Sequence, residues 1–416
     1  MKKKIFLLII VLLITIVGVF ALIYFKDKEE ARKKKIEEER LLYIEQIRKS
    51  YSKYVITNKE TNLYDNNKNI IGRINNAVKI ELKDKEIINE KDDYFELELF
   101  DNNYIYFEDV DIIDSLDEKD NYYKNYLVFN ENCVTNDKTV FYDSNFEFLY
   151  EVKYSINAPI YIKDDDYYGV DFNNELAYLK KDQVDVIAAH NTDLVNAESI
   201  PVLLYHFFHT HNDYEDWVTV ISMRIDKFEN QMKYLKENDF MTLKLRDLEL
   251  YIDGKVQIKE NSVVITIDDG NDSVFYLAYP VIEKYGVNAT VFAITVWNEH
   301  YIDNQTEFVE IHSHTHDMHQ TGMCSGGQGG LFKCIDYDAG LADLKKSSEL
   351  LNGSKYLAYP FGEYTDLSIQ LLKDAGYTMA FTTEWRNARV GENKYLVPRI
   401  YMYNEYTLEK FKRIVN

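Results

Sequence analysis

Cysteine is scarce: Cys133, Cys324 and Cys334 are the only three in 416 residues. That is too few for a disulfide-built scaffold, and without a C-x-x-C spacing there is no cysteine-based zinc module. Cys324 and Cys334 close a short Gly-rich loop and are placed to pair in an oxidising compartment. Cys133 reads as a small buried hydrophobe. Positive charge is also in deficit: 48 Lys and Arg stand against 70 Asp and Glu, a net charge of −22. This balance argues against nucleic acid, whose phosphates demand clustered basic residues. Global disorder is argued against by a composition that is 46% hydrophobic and 28% charged. At roughly 100–200 residues per domain, the length allows two to four domains.

One long apolar run is present, from Ile5 to Tyr24, behind Lys2, Lys3 and Lys4. At about 1.5 Å per residue it spans roughly the 30 Å of a bilayer's hydrocarbon core. It is longer than the apolar region of a cleavable signal peptide and lacks an A-x-A-like cleavage site. Residues 1–25 are therefore expected to form a transmembrane signal anchor. Lys26, Lys28, Arg32 and Lys33 to Lys35 put positive charge on the far side too, so flanking charge alone points the C-terminus inward. Residues 26–50, rich in Lys, Glu and Arg and free of Gly and Pro, read as a charged helical stalk.

The middle of the chain repeats itself. Thr57-Asn58, Thr61, Tyr64-Asp65 and Asn67 recur as Thr135-Asn136, Thr139, Tyr142-Asp143 and Asn145. Asp92-Asp93-Tyr94 recurs as Asp165-Asp166-Tyr167, and Val110 to Ile113 as Val184 to Ile187. Two units follow, 51–115 and 125–190, each of short β-branched and aromatic strands broken by Asn and Asp turns. The pattern resembles bacterial SH3-like domains, which implies two small all-β barrels. Such modules bind cell-wall peptides or act as spacers, and the residues leave both open.

From Ile200 the texture becomes alternating strands and helices, an α/β architecture. The expected strands are Pro201–Tyr205, Val263–Ile267, Ala289–Ile294, Phe308–Ile311, Tyr356–Ala358, Met379–Phe381 and Leu396–Arg399. One intervening helix carries Phe228, Met232 and Leu235; another carries Leu367, Leu371 and Leu372 and stops at Ala375-Gly376. Several strands run into polar residues: His206, Asp268-Asp269, the histidines of 312–319, and Tyr359-Pro360-Phe361-Gly362. A parallel barrel gathers strand C-termini on one face, so these groups are expected to converge.

Thr266-Ile267-Asp268-Asp269-Gly270 taken alone could be no more than a turn. His312, His314, His316 and His319 in eight residues point to a metal site rather than a solvated surface. Together these motifs resemble the polysaccharide deacetylase domain (NodB homology, carbohydrate esterase family 4) over residues 195–416. The resemblance implies a distorted (β/α)7 barrel. The family's T-F-D-D-G appears with Ile267 for Phe, and its H-[ST]-x-x-H is altered. His314-Thr315 with His319 gives an H-T-x-x-x-H spacing similar to the subgroup acting on poly-β-1,6-N-acetylglucosamine. His312-Ser313 with His316 fits the ordinary pattern; the context Ser313-His314-Thr315 favours the first register. Tyr359 to Gly362 resembles the R-x-P-Y-G segment with its Arg replaced by Leu357 or Ala358. No histidine follows His319, where the family places an acid.

The resemblance implies Asp269, His314 and His319 as ligands of a divalent ion, zinc first, with cobalt or nickel as alternatives. Asp268 is the implied general base, Arg399 the substitute for the Arg that steadies it, and His206 the acid, a role that requires the imidazolium form a neighbouring carboxylate would favour. Tyr359, Pro360, Phe361 and Trp385 are the implied substrate-binding positions, with the Phe361 N–H facing the oxyanion. The expected enzyme is a membrane-anchored N-deacetylase of a surface glycan, placed extracellularly, against the flanking charge, because such a substrate lies outside the cell. Peptidoglycan is the rival substrate, and a wall-binding protein on a degenerate barrel the rival class. A glycosidase is disfavoured, because adjacent Asp268 and Asp269 cannot flank a sugar bond in the usual way. The loop Cys324 to Gly330 lacks the Gly-Lys-Ser/Thr ending of a phosphate loop.

Overall fold

The computed structural model describes residues 24–39, 41–42, 53–83, 94–98, 103–113, 122–172, 175–189, 195–210, 221–297 and 304–416. The expected anchor, 1–25, lies outside these apart from its last two residues. Among the described residues no helix is long and apolar enough to cross a membrane. Helix α1 (residues 24–39) is exposed throughout and carries i,i+4 pairs such as Lys33–Glu29 at 3.1 Å. The chain forms two compact units, Met1–Lys119 with Asn136–Ser155, and Asp120–Thr135 with Ile156–Asn416.

The repeat seen in the sequence is a repeat of elements. β1 (Tyr54–Thr57), β2 (Thr61–Tyr64), β3 (Ile70–Ile74), β4 (Lys79–Glu81), β5 (Tyr94–Glu96) and β6 (Tyr104–Tyr106) lead through a 3-10 turn to β7 (Val110–Ile113). The second copy is β8 (Glu131–Thr135), β9 (Thr139–Tyr142), β10 (Phe148–Val152), β11 (Asn157–Lys163), β12 (Tyr167–Phe172) and β13 (Glu175–Lys180). A 3-10 turn again precedes its last strand, β14 (Val184–Ala188). β1 pairs with β4 and β7, and β8 correspondingly with β11 and β14. The recurring Asp makes the same turn twice. Asp65 Oδ1 accepts the N–H of Asn67 and Asn69, and Asp143 Oδ1 that of Asn145 and Glu147.

The compact units nevertheless divide the chain differently from the repeats. The β9–β10 hairpin of the second copy belongs with the first, where β10 pairs antiparallel with β3 in the register Tyr150↔Ile74 and Val152↔Gly72. Gly72 permits that approach, since a Cβ there would stand 2.1 Å from the Glu151 carbonyl oxygen.

In the second unit a parallel sheet runs in the order β23-β22-β21-β20-β19-β15-β24. Its strands are β15 (Val202–Tyr205), β19 (Ser262–Asp269), β20 (Ala289–Ala293), β21 (Val309–Ser313), β22 (Tyr356–Ala358), β23 (Met379–Phe381) and β24 (Ile400–Tyr401). Short strands β16 (Phe207–His209) and β17 (Ser222–Arg224) pair together, and β18 (Met241–Thr242) joins β19. A parallel bridge Phe381↔Val397 lies beyond β23. Six expected strands stand where the alternation put them. The seventh, Leu396–Arg399, does not: Lys394–Leu396 is a 3-10 turn and pairing with β15 begins at Ile400. Pro398 has no N–H to give to a ladder, which delays the strand.

Helices cover this sheet. α2 (Ile225–Glu237) buries Phe228, Met232 and Leu235, and α3 (Leu245–Ile252) and α4 (Tyr279–Tyr285) follow. α5 (Tyr337–Leu350), α6 (Asp366–Asp374) and the terminal α7 (Leu408–Val415) complete the set. α6 starts where Thr365 caps the Ser368 N–H and stops before Gly376 at φ +87°. One apolar core joins α2, α4 and α7 to β15, β19, β20 and β21; a second joins α5 and α6 to β22. Parallel order puts the C-termini of these strands along one edge.

Candidate metal centre

β19 is buried along its whole length and delivers Asp268 and Asp269 at its end. Asp269 adopts φ +70°, a left-handed backbone rare for a non-glycine residue. Successive strand residues face opposite ways, so the two carboxylates enter different surroundings. Asp268 meets Arg399, whose Nη1 and Nη2 donate to Oδ1 and Oδ2 at 2.6 and 2.8 Å. Both side chains are buried, and Arg399 is further fixed by donating to the Thr382 carbonyl at 3.0 Å. Burial alone would raise the Asp268 pKa, but the guanidinium, with the nearby His314 and His206, holds the carboxylate below its ordinary range.

Asp269 meets His314 and His319, each with Nε2 at 3.5 Å from Asp269 Oδ1. The three ligand atoms lie within 4.8 Å of one another, and among the described residues this is the one such cluster. His314 follows β21 directly, and its Nδ1 donates to the Ala358 carbonyl at 2.8 Å. A carbonyl only accepts, so the Nδ1 carries the proton and Nε2 keeps its lone pair. Burial lowers the His314 pKa to about 4 and that of His319 to about 3, so both rings are neutral at pH 7. Burial and the charge of Asp268 raise Asp269 to about 7. Two neutral imidazoles and a carboxylate whose charge is disfavoured without a cation are the donor set of a two-His, one-carboxylate metal site. The residues fit a divalent ion.

His312 and His316 stand apart from this cluster. His312 Nδ1 is 2.9 Å from Ser354 Oγ, with Nε2 3.8 Å from Glu310, and His316 Nδ1 is 2.9 Å from Thr295 Oγ1. His206, half-buried at the end of β15, lies parallel to the Tyr401 ring at 5.8 Å. Burial lowers its pKa to about 4 against the opposing pull of Asp268. Asp268 favours the imidazolium as expected, but desolvation is the larger effect and the ring rests neutral.

The Tyr359 to Gly362 segment divides between core and site. Tyr359 has no exposed surface and packs with Phe332 and Tyr364, and Pro360 is buried, so both shape the segment from within. Phe361, at φ +59°, sets its ring 4.3 Å from that of His319. Trp385 is more than half exposed, with Lys410 Nζ 5.5 Å from its ring centre. Trp297, which no motif singles out, is 56% exposed and meets the His319 ring edge-on at 5.6 Å. The disulfide Cys324–Cys334 closes the Gly-rich loop, whose Gln328 and Gly330 N–H groups donate to Glu363.

Gly362 follows Phe361 and admits no side chain. It sits at φ +69°, and a Cβ would come within 2.2–2.9 Å of three side-chain atoms of Thr383. Gly362→Ala is expected to destabilise this unit by about 2–4 kcal/mol, from left-handed strain plus overpacking against a stiff β-branched neighbour. Urea unfolding with a midpoint unchanged from wild type would contradict this.

Three comparisons show which known proteins the chain is similar to. Residues 255–380 match the family model described as polysaccharide deacetylase. A poly-β-1,6-N-acetyl-D-glucosamine N-deacetylase of Staphylococcus aureus (strain MRSA252) is 29% identical over 227 residues, covering 50% of this chain and 76% of that protein. A deacetylase of Streptococcus pyogenes solved in complex with acetate superposes with a TM-score of 0.47 at 20% identity, over 53% of this chain and all of that one. A polysaccharide deacetylase from Bacillus cereus superposes with a TM-score of 0.45 at 20% identity, over 74% and 94% of the two chains.

Proposed function

We propose that this chain, a hydrolase of N-acetyl-sugar amide bonds whose barrel is a polysaccharide deacetylase domain, removes acetyl groups from N-acetylglucosamine residues of a surface glycan, poly-β-1,6-N-acetylglucosamine foremost. The observation that carries this reading is the Asp269–His314–His319 cluster beside an Asp268 locked to Arg399. The five-residue histidine spacing and the named staphylococcal relative support the glycan. When bound, a divalent ion supplies Lewis acidity to the acetyl carbonyl and lowers the pKa of the attacking water. Asp269, His314 and His319 would hold it, with zinc, cobalt and nickel as the candidates.

Asp268, kept ionised by Arg399, takes the proton of the attacking water. The Phe361 backbone N–H is the donor assigned to the carbonyl oxygen as it gains charge. His206 gives a proton to the departing sugar amine. Because burial keeps it neutral at rest, the proton it passes on is the one Asp268 has taken from the water. The exposed Trp297 and Trp385 offer apolar faces to sugar rings.

The apolar run of 1–25 behind three lysines supports a membrane anchor, and the Cys324–Cys334 disulfide supports an oxidising, extracellular location. The two β repeats support SH3-like modules, spacers or binders of wall peptide, and with them peptidoglycan as the second substrate to test. The experiment is acetate release by the full chain in detergent, loaded with zinc or cobalt, from poly-β-1,6-N-acetylglucosamine oligomers and from peptidoglycan fragments. Release from the first supports the proposal. Release from peptidoglycan alone keeps the chemistry and moves the substrate. Release from neither, with metal bound, favours a binding protein.

A further inference from the structure

His314 and His319 are five residues apart, a spacing that neither a helix turn nor a strand supplies, so the intervening chain needs its own support. The N–H groups of His316 and Asp317 both donate to the carboxylate of Asp343, to Oδ1 and Oδ2, at 2.8 Å each. Asp343 is half-buried on α5. One turn further along the same face, Ser347 Oγ lies 2.7 Å from Ser313 Oγ, which accepts the Thr315 N–H at 3.1 Å. Thr315 is buried and left-handed at φ +72°. Two side chains of one helix thus grip the chain on either side of its strained residue. The Asp343 grip is the stronger, being charge-assisted and doubled.

We propose that Asp343 is a positioning residue for the metal centre: by chelating the amides of His316 and Asp317 it fixes the path from His314 to His319 and sets how tightly the three ligands take a divalent ion. This inference rests on the metal reading of Asp269, His314 and His319. Without the carboxylate, two consecutive N–H groups lose their acceptors and the His319 end of the loop is free to shift. The ligand set is then no longer pre-organised, a loss that falls on metal affinity before it falls on the fold. Asparagine retains one acceptor and turns an NH2 toward the other amide, so it should keep part of the effect.

The test is zinc affinity of the full chain in detergent, by competition with a chromophoric chelator, together with the melting temperature of the metal-free protein. Asp343→Ala is expected to weaken zinc binding roughly 10–100-fold, the range for lost outer-sphere support. Asp343→Asn should lose less, and Glu349→Gln, exposed on the same helix, nothing. Metal-free melting should stay within a few degrees of wild type in all three. Wild-type affinity in Asp343→Ala overturns the inference alone; if that variant does not fold, wild-type affinity in Asp343→Asn does so. A wild-type chain that takes up no divalent ion overturns the metal reading and this inference with it.

Discussion

Asparagine at position 268 is expected to lower kcat for acetate release by about 10²–10⁴-fold while leaving the metal content of the chain unchanged. Asp268 stands outside the ligand cluster and has both carboxylate oxygens on Arg399. The substitution removes the proton acceptor without touching a ligand atom. It also turns an amide NH2 toward a guanidinium donor, so a modest drop in melting temperature should accompany it. The two effects separate cleanly, because a lost base lowers kcat in protein that is still folded. Loss of the metal from this variant would make Asp268 a ligand rather than a base. Activity within a few-fold of wild type would mean that the water's proton goes elsewhere.

Removing Arg399 should have the largest effect on stability. Its guanidinium has no exposed surface and faces a carboxylate that is itself 4% exposed. Arg399→Met leaves that charge buried without its partner, a change that costs about 3–5 kcal/mol. The fork also bonds the Thr382 carbonyl and lies near the Phe292 and Phe381 rings, at 5.7 and 5.9 Å from their centres. Lysine restores charge but not the bidentate geometry and should recover only part of the loss. The decisive comparison is Asp268→Asn with Arg399→Met, which removes both charges together. Urea unfolding should show the double variant to be less destabilised than the sum of the singles. Strict additivity would mean that the pair contributes no coupling energy and that Arg399 acts through packing alone.

The chemistry of this site was legible because strand ends announce themselves. A buried apolar run that stops at Asp268-Asp269 could alone be a turn, but with another that runs into four spaced histidines it points to a site. Choosing between histidine registers was a different matter. His312 and His314 are two apart and share a face by alternation, so periodicity cannot separate them. The choice is made where the chain turns: β21 ends at Ser313, Thr315 turns left-handed, and His314 is fixed by the Ala358 carbonyl of the neighbouring strand. The protonation state of His206 was similarly out of reach, because a carboxylate neighbour and a desolvating pocket shift it in opposite directions and only packing says which is larger.

What the sequence determined by itself is local or periodic: the alternation of strands and helices from Ile200, the recurrence of Thr57 to Ile113 in Thr135 to Ile187, the strand-end carboxylates, and the Gly stop after α6. Each rests on backbone rules that act within a few residues. The tertiary structure decided everything that depends on which distant groups meet. It joined the β9–β10 hairpin to the first repeat through β3, a pairing that period-two patterning permits but does not specify. It set Arg399 on Asp268 across 131 residues, and Asp343 of α5 on the ligand loop. Side chains converge on a metal or a base only when elements far apart in the chain are packed around one sheet, and the energy that selects those contacts, burial and charge in a desolvated interior, exists only once that packing has formed.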